Sequence, residues 1–269
     1  MDNHAQERIR FHILYDKEVA QRALDEAERK DRYLEECHDD RLNRLARASN
    51  AYAANRITYY ELKYYEVMLE NAKHSLPPRL TTDLTDVRLL PLMPSADAGM
   101  PHTRPGELIC YPDISRFFQA STLIHELWHI HQRVYESMWT EVFRRWGWTE
   151  GSESLLPPRI ESSRRYNPDT LDRPVWIFRE TWIPVPVFKD ISRPRVDETE
   201  IWFVHVKEGH HVRQVPDEMR AEYPTAPPSA FEHPREMAAY LLSDPAEHQG
   251  TPGFQSLLEL VGHTALPLP

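Results

Sequence analysis

The stretch Ser121-Thr-Leu-Ile-His-Glu-Leu-Trp-His-Ile-His-Gln132 contains the pattern HExxH, in His125-Glu126-Leu127-Trp128-His129. On a helix, residues four apart lie one above the other on the same face, so the imidazoles of His125 and His129 stand side by side. Two nitrogens placed in this way can reach one metal ion at roughly 2.0–2.1 Å. Glu126 follows the first of them, where its carboxylate can lie beside the ion and take the proton of a bound water. Little more than one helical turn thus offers two ligands and a base, the constellation of zinc hydrolysis. The competing account is an ordinary helix with two incidental histidines, in a chain that contains 14 of them.

Outward from the motif, Leu123, Leu127, Ile130 and Val134 fall on one stripe, and the two histidines lie off it. The helix can therefore bury one side in a core and turn its histidines into a cleft. Upstream, Val87 to Met93 and Glu107 to Tyr111 read as short strands separated by a loop over residues 95–105. Pro112-Asp113 turns the chain, with Asp113 a helix cap for the region that holds Phe117, Phe118 and the motif. Downstream, the motif helix is expected to run on to Arg145, before Gly147 and Gly151. The runs 175–178, 182–188 and 200–206 are β-branched and aromatic, of strand length. Pro184 and Pro186 push their run towards a sheet edge. Residues 159–173 and 208–230 read as irregular, and a final helical pair covers 234–242 and 253–260.

The N-terminal part is different. From residue 5 to about 76 there is neither proline nor glycine, and helix formers dominate. Between Lys17 and Asp40 the charge density reads as a solvent-facing helix laced with i,i+4 pairs. A partner-binding arm, through which copies of the chain could assemble, is the alternative. Tyr59, Tyr60, Leu62, Tyr64, Tyr65, Val67, Met68 and Leu69 form an apolar and aromatic helix expected to pack on the main body. Pro77-Pro78 ends this region and gives a division into 1–77, helical, and 78–269, the domain that carries the motif.

Composition narrows the function classes. The chain has 269 residues, 41% hydrophobic and 28% charged, ordinary for a soluble globular protein. A net charge of -10 argues against a nucleic-acid binder, which shows a basic stripe. No apolar run approaches the roughly 18 residues of a membrane span, and no signal-peptide apolar region follows the polar N-terminus. A cytoplasmic location is the expectation. The two cysteines, Cys37 and Cys110, sit in unlike contexts and imply no disulfide framework. Cys110, upstream of the motif, is read either as a thiol that blocks a zinc ion or as an ordinary buried thiol.

A catalytic zinc takes three protein ligands and leaves a fourth position for water. The extended motif HExxHxxGxxH is excluded, because Gln132 and Tyr135 stand where its Gly and His belong. The best third ligand is Glu236, in Glu232-His-Pro-Arg-Glu-Met-Ala-Ala-Tyr240. Pro234 suits the first turn of a helix, and Ala238 and Ala239 would allow close helix packing. A first-turn Glu is also a routine helix-dipole partner, and His233 is the substitute candidate.

Together, His125-Glu126-Leu-Trp-His129 and Glu236-Met-Ala-Ala239 resemble the gluzincin group of zinc metallopeptidases, which pair HExxH with a later Glu in an ExxA-like context. The resemblance covers these two helices and the strand ahead of the first. It implies an α+β, zincin-like catalytic domain, a small mixed sheet plus active-site helices, preceded here by the helical N-terminal region. It implies Zn2+ held by His125, His129 and Glu236, with Glu126 as general base and a peptide or protein as substrate. In that group a Tyr or His often stabilises the oxyanion, a role open to Tyr240, and an edge strand before the motif binds substrate, the place of 107–111 in chain order. Asp244 is a candidate to hold a ligand imidazole, while His131 points away from the metal. The alternative function is a non-catalytic protein stapled by zinc and assembled through its N-terminal helices.

Overall fold

The computed structural model describes residues 9–112, 119–171 and 175–263, so the expected cap Asp113 and the neighbouring Phe117 and Phe118 lie outside the described residues. In chain order its first elements are β1 (Arg10–Ile13), α1 (Lys17–Asp31), α2 (Tyr33–Asp39), α3 (Arg41–Arg47), α4 (Tyr59–Lys73) and α5 (Pro78–Asp83). Next come β2 (Asp86–Pro91), β3 (His102–Arg104), β4 (Leu108–Tyr111), α6 (Ala120–Val134) and α7 (Glu136–Arg145). After these follow β5 (Trp148–Gly151), α8 (Pro158–Glu161), β6 (Val175–Phe178), β7 (Trp182–Phe188), β8 (Thr199–His205) and β9 (His211–Val212). The last are α9 (Asp217–Glu222), α10 (Pro234–Ser243), α11 (Pro245–His248) and α12 (Pro252–His263). The class is α+β, as expected. None of the described helices is long and apolar enough to cross a membrane.

Contacts divide the chain into two compact units, Met1–Arg32 with Ser49–Val134, and Tyr33–Ala48 with Tyr135–Pro269. The chain passes from one unit to the other after Arg32, Ala48 and Val134. The first unit holds a four-stranded sheet of order β1-β2-β4-β3, with β1, β2 and β4 parallel and β3 antiparallel to β4. The N-terminal region is thus not wholly helical. Parallel strands need a crossover, and α1 through α5 lie between β1 and β2 in the chain. Helix α1 buries Ala20, Ala23, Leu24 and Ala27 in one cluster with Leu90, Leu92, Leu108 and Cys110. Three alanines on that face bring helix and sheet close. Cys37 and Cys110 are both buried and form no disulfide, so Cys110 is the ordinary core thiol.

The charged run of α1 is not only a solvated face. Arg104, fully buried on β3, forks onto both carboxylate oxygens of Asp31 at 2.6 and 2.7 Å, reaches Glu28 at 2.6 Å and donates to the Tyr52 hydroxyl at 2.9 Å. Removing one member of such a buried pair costs about 3–5 kcal/mol. The expected helix from Lys17 to Asp40 is broken at Arg32, whose φ of +53° closes α1 in the left-handed region. Helix α4 starts on a Thr58–Glu61 capping box. It buries Tyr65 and Leu69 but leaves Tyr59, Tyr60, Tyr64 and Val67 exposed, so its aromatic face is not the core face expected.

The second unit is built on an antiparallel sheet of order β5-β6-β7-β8-β9. Strand β7 runs alongside β8 over its whole length, yet among the described residues its register with β6 is the single pair Phe178 and Trp182. Its two prolines explain this asymmetry. The Pro186 carbonyl accepts from the Arg165 amide at 2.8 Å on the side away from β8, so the missing N–H groups of Pro184 and Pro186 face that side. The prolines thus lie inside the sheet, on the flank of β7 that bonds to residues 163–165, where an outer edge was expected. Buried Asn43 on α3 accepts from the Tyr166 amide at 2.9 Å and donates to the Arg164 carbonyl at 2.8 Å. The segment read as an irregular loop is thereby fixed in position. The 208–230 stretch likewise contains β9 and α9.

Candidate metal centre

Helix α6 buries more than a stripe. Leu123, Ile124, Leu127, Trp128 and Ile130 are buried, and so are Glu126, His129, His131 and Gln132, while Val134 is 44% exposed at the end. A helix buried nearly all round belongs to a core, so its histidines do not sit on a solvated face. Tyr135, at φ −114° and ψ 43°, interrupts the helix before α7.

The two motif imidazoles face each other, with Nε2 atoms 3.0 Å apart and ring planes 78° apart. One turn on, the Gln132 Oε1 lies 3.0 Å from the His129 Nδ1. An amide oxygen only accepts, so the proton of neutral His129 sits on Nδ1 and the Nε2 lone pair points towards His125. Two lone pairs 3.0 Å apart repel unless a proton or a cation lies between them. Glu126, 4% exposed, precedes His129 by three residues and so neighbours it on the helix surface. His131 is elsewhere, as expected. It contacts Asp83 at 2.9 Å, and Asp83 also pairs with Arg79; burial drives the His131 pKa down to about 4, against the pull of Asp83.

Glu236 lies in the first turn of α10, behind Pro234. His233, the substitute candidate, caps that helix by accepting the Arg235 amide at its Nδ1, at 3.1 Å, and is buried. Ala238 and Ala239 are fully buried. Asn167 donates its amide hydrogens to Glu236 Oε1 at 2.9 Å and Glu232 Oε1 at 3.0 Å. Glu232 also accepts from Arg165 and from Thr170. Burial pushes the Glu232 carboxyl up, and the Glu236 charge adds to this, against the lowering by Arg165, Asn167 and Thr170.

His125 and His129 belong to the first unit and Glu236 to the second, and each offers one possible ligand atom. Tyr240, one turn beyond Glu236, is half-buried, and its hydroxyl accepts from Ser229 at 3.1 Å. Asp244 is exposed and caps α11 through the Glu247 amide, so it supports no imidazole; Gln132 has that place. Gln132 was readable only as a departure from the longer motif, although its i+3 spacing from His129 was the available signal. Asn167 and Arg165 gave no signal, because their positions depend on the pairing with Pro186. The segment 107–111 was expected as an edge strand, but β4 lies between β2 and β3, and the edge is β3. No protein-family model matches the chain, and no curated protein or solved structure matches it.

Proposed function

We propose that this chain is a zinc-dependent metallopeptidase of the gluzincin type with a zincin-like catalytic domain. In this reading His125, His129 and Glu236 are the ligands, Glu126 is the general base, and peptide bonds are the substrate. The observation that supports it is the motif pair, two imidazoles with Nε2 atoms 3.0 Å apart beside the buried Glu126; with one further carboxylate this donor set suits zinc and leaves a fourth position. The buried Gln132 contact fits it too, since a ligand imidazole needs its other nitrogen engaged. Bound there, a zinc ion would supply Lewis acidity, bringing the pKa of a water to about 7 and polarising the scissile carbonyl.

The chain's own residues do the rest. Glu126 accepts a proton from the attacking water and returns it to the leaving amine. Gln132 keeps the His129 lone pair directed, and Asn167 orients Glu236. Tyr240 is the group assigned to donate to the developing oxyanion, with Ser229 steadying its hydroxyl.

The test is a pair of variants assayed for bound zinc and for peptide hydrolysis. Glu126→Gln keeps the metal and loses turnover, and Glu236→Ala loses the metal. Undiminished hydrolysis by Glu126→Gln would sink the proposal and leave zinc as a structural staple.

A further inference from the structure

A second cluster of metal-binding side chains lies at the tip of the β8–β9 hairpin, in His205-Val-Lys-Glu208-Gly-His210. His205, Glu208 and His210 each bring one ligand atom within 4.8 Å of the others. The hairpin's own hydrogen bonds create this arrangement. The His205 amide donates to the His210 carbonyl at 2.9 Å, and the Gly209 amide donates to the His205 carbonyl at 2.8 Å. These bonds make His205 and His210 a cross-strand pair, whose side chains share one face. Gly209 allows the tight return, at φ +66° with open space around it.

The two imidazoles are nearly parallel, 15° apart with centroids at 5.2 Å. Trp182 on β7 stands edge-on to both, at 5.0 Å from His205 and 5.8 Å from His210, and so braces them on one side. Glu208 reaches back from the turn, its carboxylate 3.0 Å from His210 Nδ1 and its amide 3.3 Å from His205 Nδ1. The carboxylate and its histidines are half-buried or exposed, so small side-chain rotations bring the three donors to the roughly 3.4 Å spacing found around one tetrahedral ion.

We propose that His205, Glu208 and His210 form a second, surface site for a divalent transition-metal ion of the group that favours imidazole: zinc, copper or nickel. Three protein donors leave the remaining coordination positions to solvent or to a ligand from outside the chain. All three donors come from one turn, so the bound ion ties the end of β8 to the start of β9. The site is independent of the proposed hydrolytic activity, since it shares no residue with His125, His129 and Glu236.

The test titrates metal-free, full-length protein with Cu2+ and, separately, with Zn2+, reading bound ions by equilibrium dialysis and tryptophan emission. The background is His125→Asn with His129→Asn, which isolates the hairpin from the other cluster. One ion is expected to remain per chain, and Cu2+ is expected to quench emission as it binds. Adding His205→Asn and His210→Asn removes that ion. The milder Glu208→Gln weakens it about tenfold, and Trp182→Phe keeps it while cutting the quenching. Circular dichroism of each variant checks that the fold survives; should the double histidine variant unfold, Glu208→Gln decides alone. No ion bound in the isolating background, or one held unchanged after Glu208→Gln, overturns the proposal.

Discussion

His125, His129 and Glu236 present two imidazoles and a carboxylate from helices, whereas His205, Glu208 and His210 present the same three groups from one hairpin. The donors match, but their surroundings differ. The helical set is buried or half-buried, with Gln132 holding one imidazole and Asn167 holding the carboxylate. The hairpin set is half-buried to exposed, braced by Trp182 on one side. Catalysis relies on groups held in place before the reaction, in surroundings where water does not screen them. An exposed turn instead adapts to an ion and lets it go. The comparison teaches that one donor set can stand in two settings, of which the buried and hydrogen-bonded one is the better organised before any ion arrives.

The largest expected effect comes from the residue that only the helical set has. Glu126→Gln is expected to lower kcat/KM for peptide hydrolysis by about 10²–10⁴-fold, the usual share of a general base. Bound zinc should be unchanged, and steady-state kinetics beside metal analysis checks both. If turnover survived, the contrast between the two clusters would be one of stability only. Next is the support itself. Gln132→Leu keeps the shape of the side chain and removes the acceptor of His129, so zinc affinity at the helical cluster should fall about 10–100-fold. A competition titration with a chromophoric chelator measures it. An unchanged affinity would mean that the metal alone orients the ring, and that the helical set is no better organised than the hairpin.

A smaller effect is expected at Asn167. Its side-chain amide separates two carboxylates, those of Glu232 and Glu236, and satisfies both. Asn167→Ala in metal-free protein is expected to cost about 1–3 kcal/mol of unfolding free energy, the penalty for buried acceptors that lose a donor. Saturating zinc should recover part of this loss by neutralising Glu236, whereas a loss identical with and without zinc would detach Asn167 from the metal cluster. Urea unfolding in both conditions provides the comparison.

The helical cluster was readable from sequence because helix periodicity is fixed: a spacing of four places His125 above His129 whatever surrounds them. Glu236 could be singled out because Pro234 marks the start of its helix. The supports were hidden for a different reason. Asn167 and Arg165 reach their carboxylates beside a long-range bridge of residues 163–165 to β7, which no local pattern announces. The edge strand was misjudged because chain order does not give sheet order; β3 follows β2 in sequence yet lies outside β4. The N-terminal charges misled in a similar way, since a buried Arg104 far along the chain pairs with Glu28 and Asp31. The hairpin cluster had no motif to announce it, because the meeting of His205 with His210 depends on the turn between them.

That dependence on the turn gives the smallest and most local test of the comparison. Gly209 sits at φ +66° with nothing within 4 Å of where a Cβ would stand, so a substitution there meets backbone strain without a clash. The left-handed region costs an L-residue about 1–2 kcal/mol, less for Asn, which tolerates it. In the free chain this strain tips the turn towards other conformations that separate His205 from His210, and an incoming ion must restore the original one. Affinity of the hairpin for Cu2+ should therefore fall in the order Gly, Asn, Ala, with Gly209→Ala down about 5–30-fold at 1.4 kcal/mol per factor of ten. Zinc at His125, His129 and Glu236 should not change, since the turn supplies no donor there. Equal Cu2+ binding across the series would mean that the hairpin geometry does not set the affinity, and an exposed His, Glu and His would then need only flexible side chains to meet.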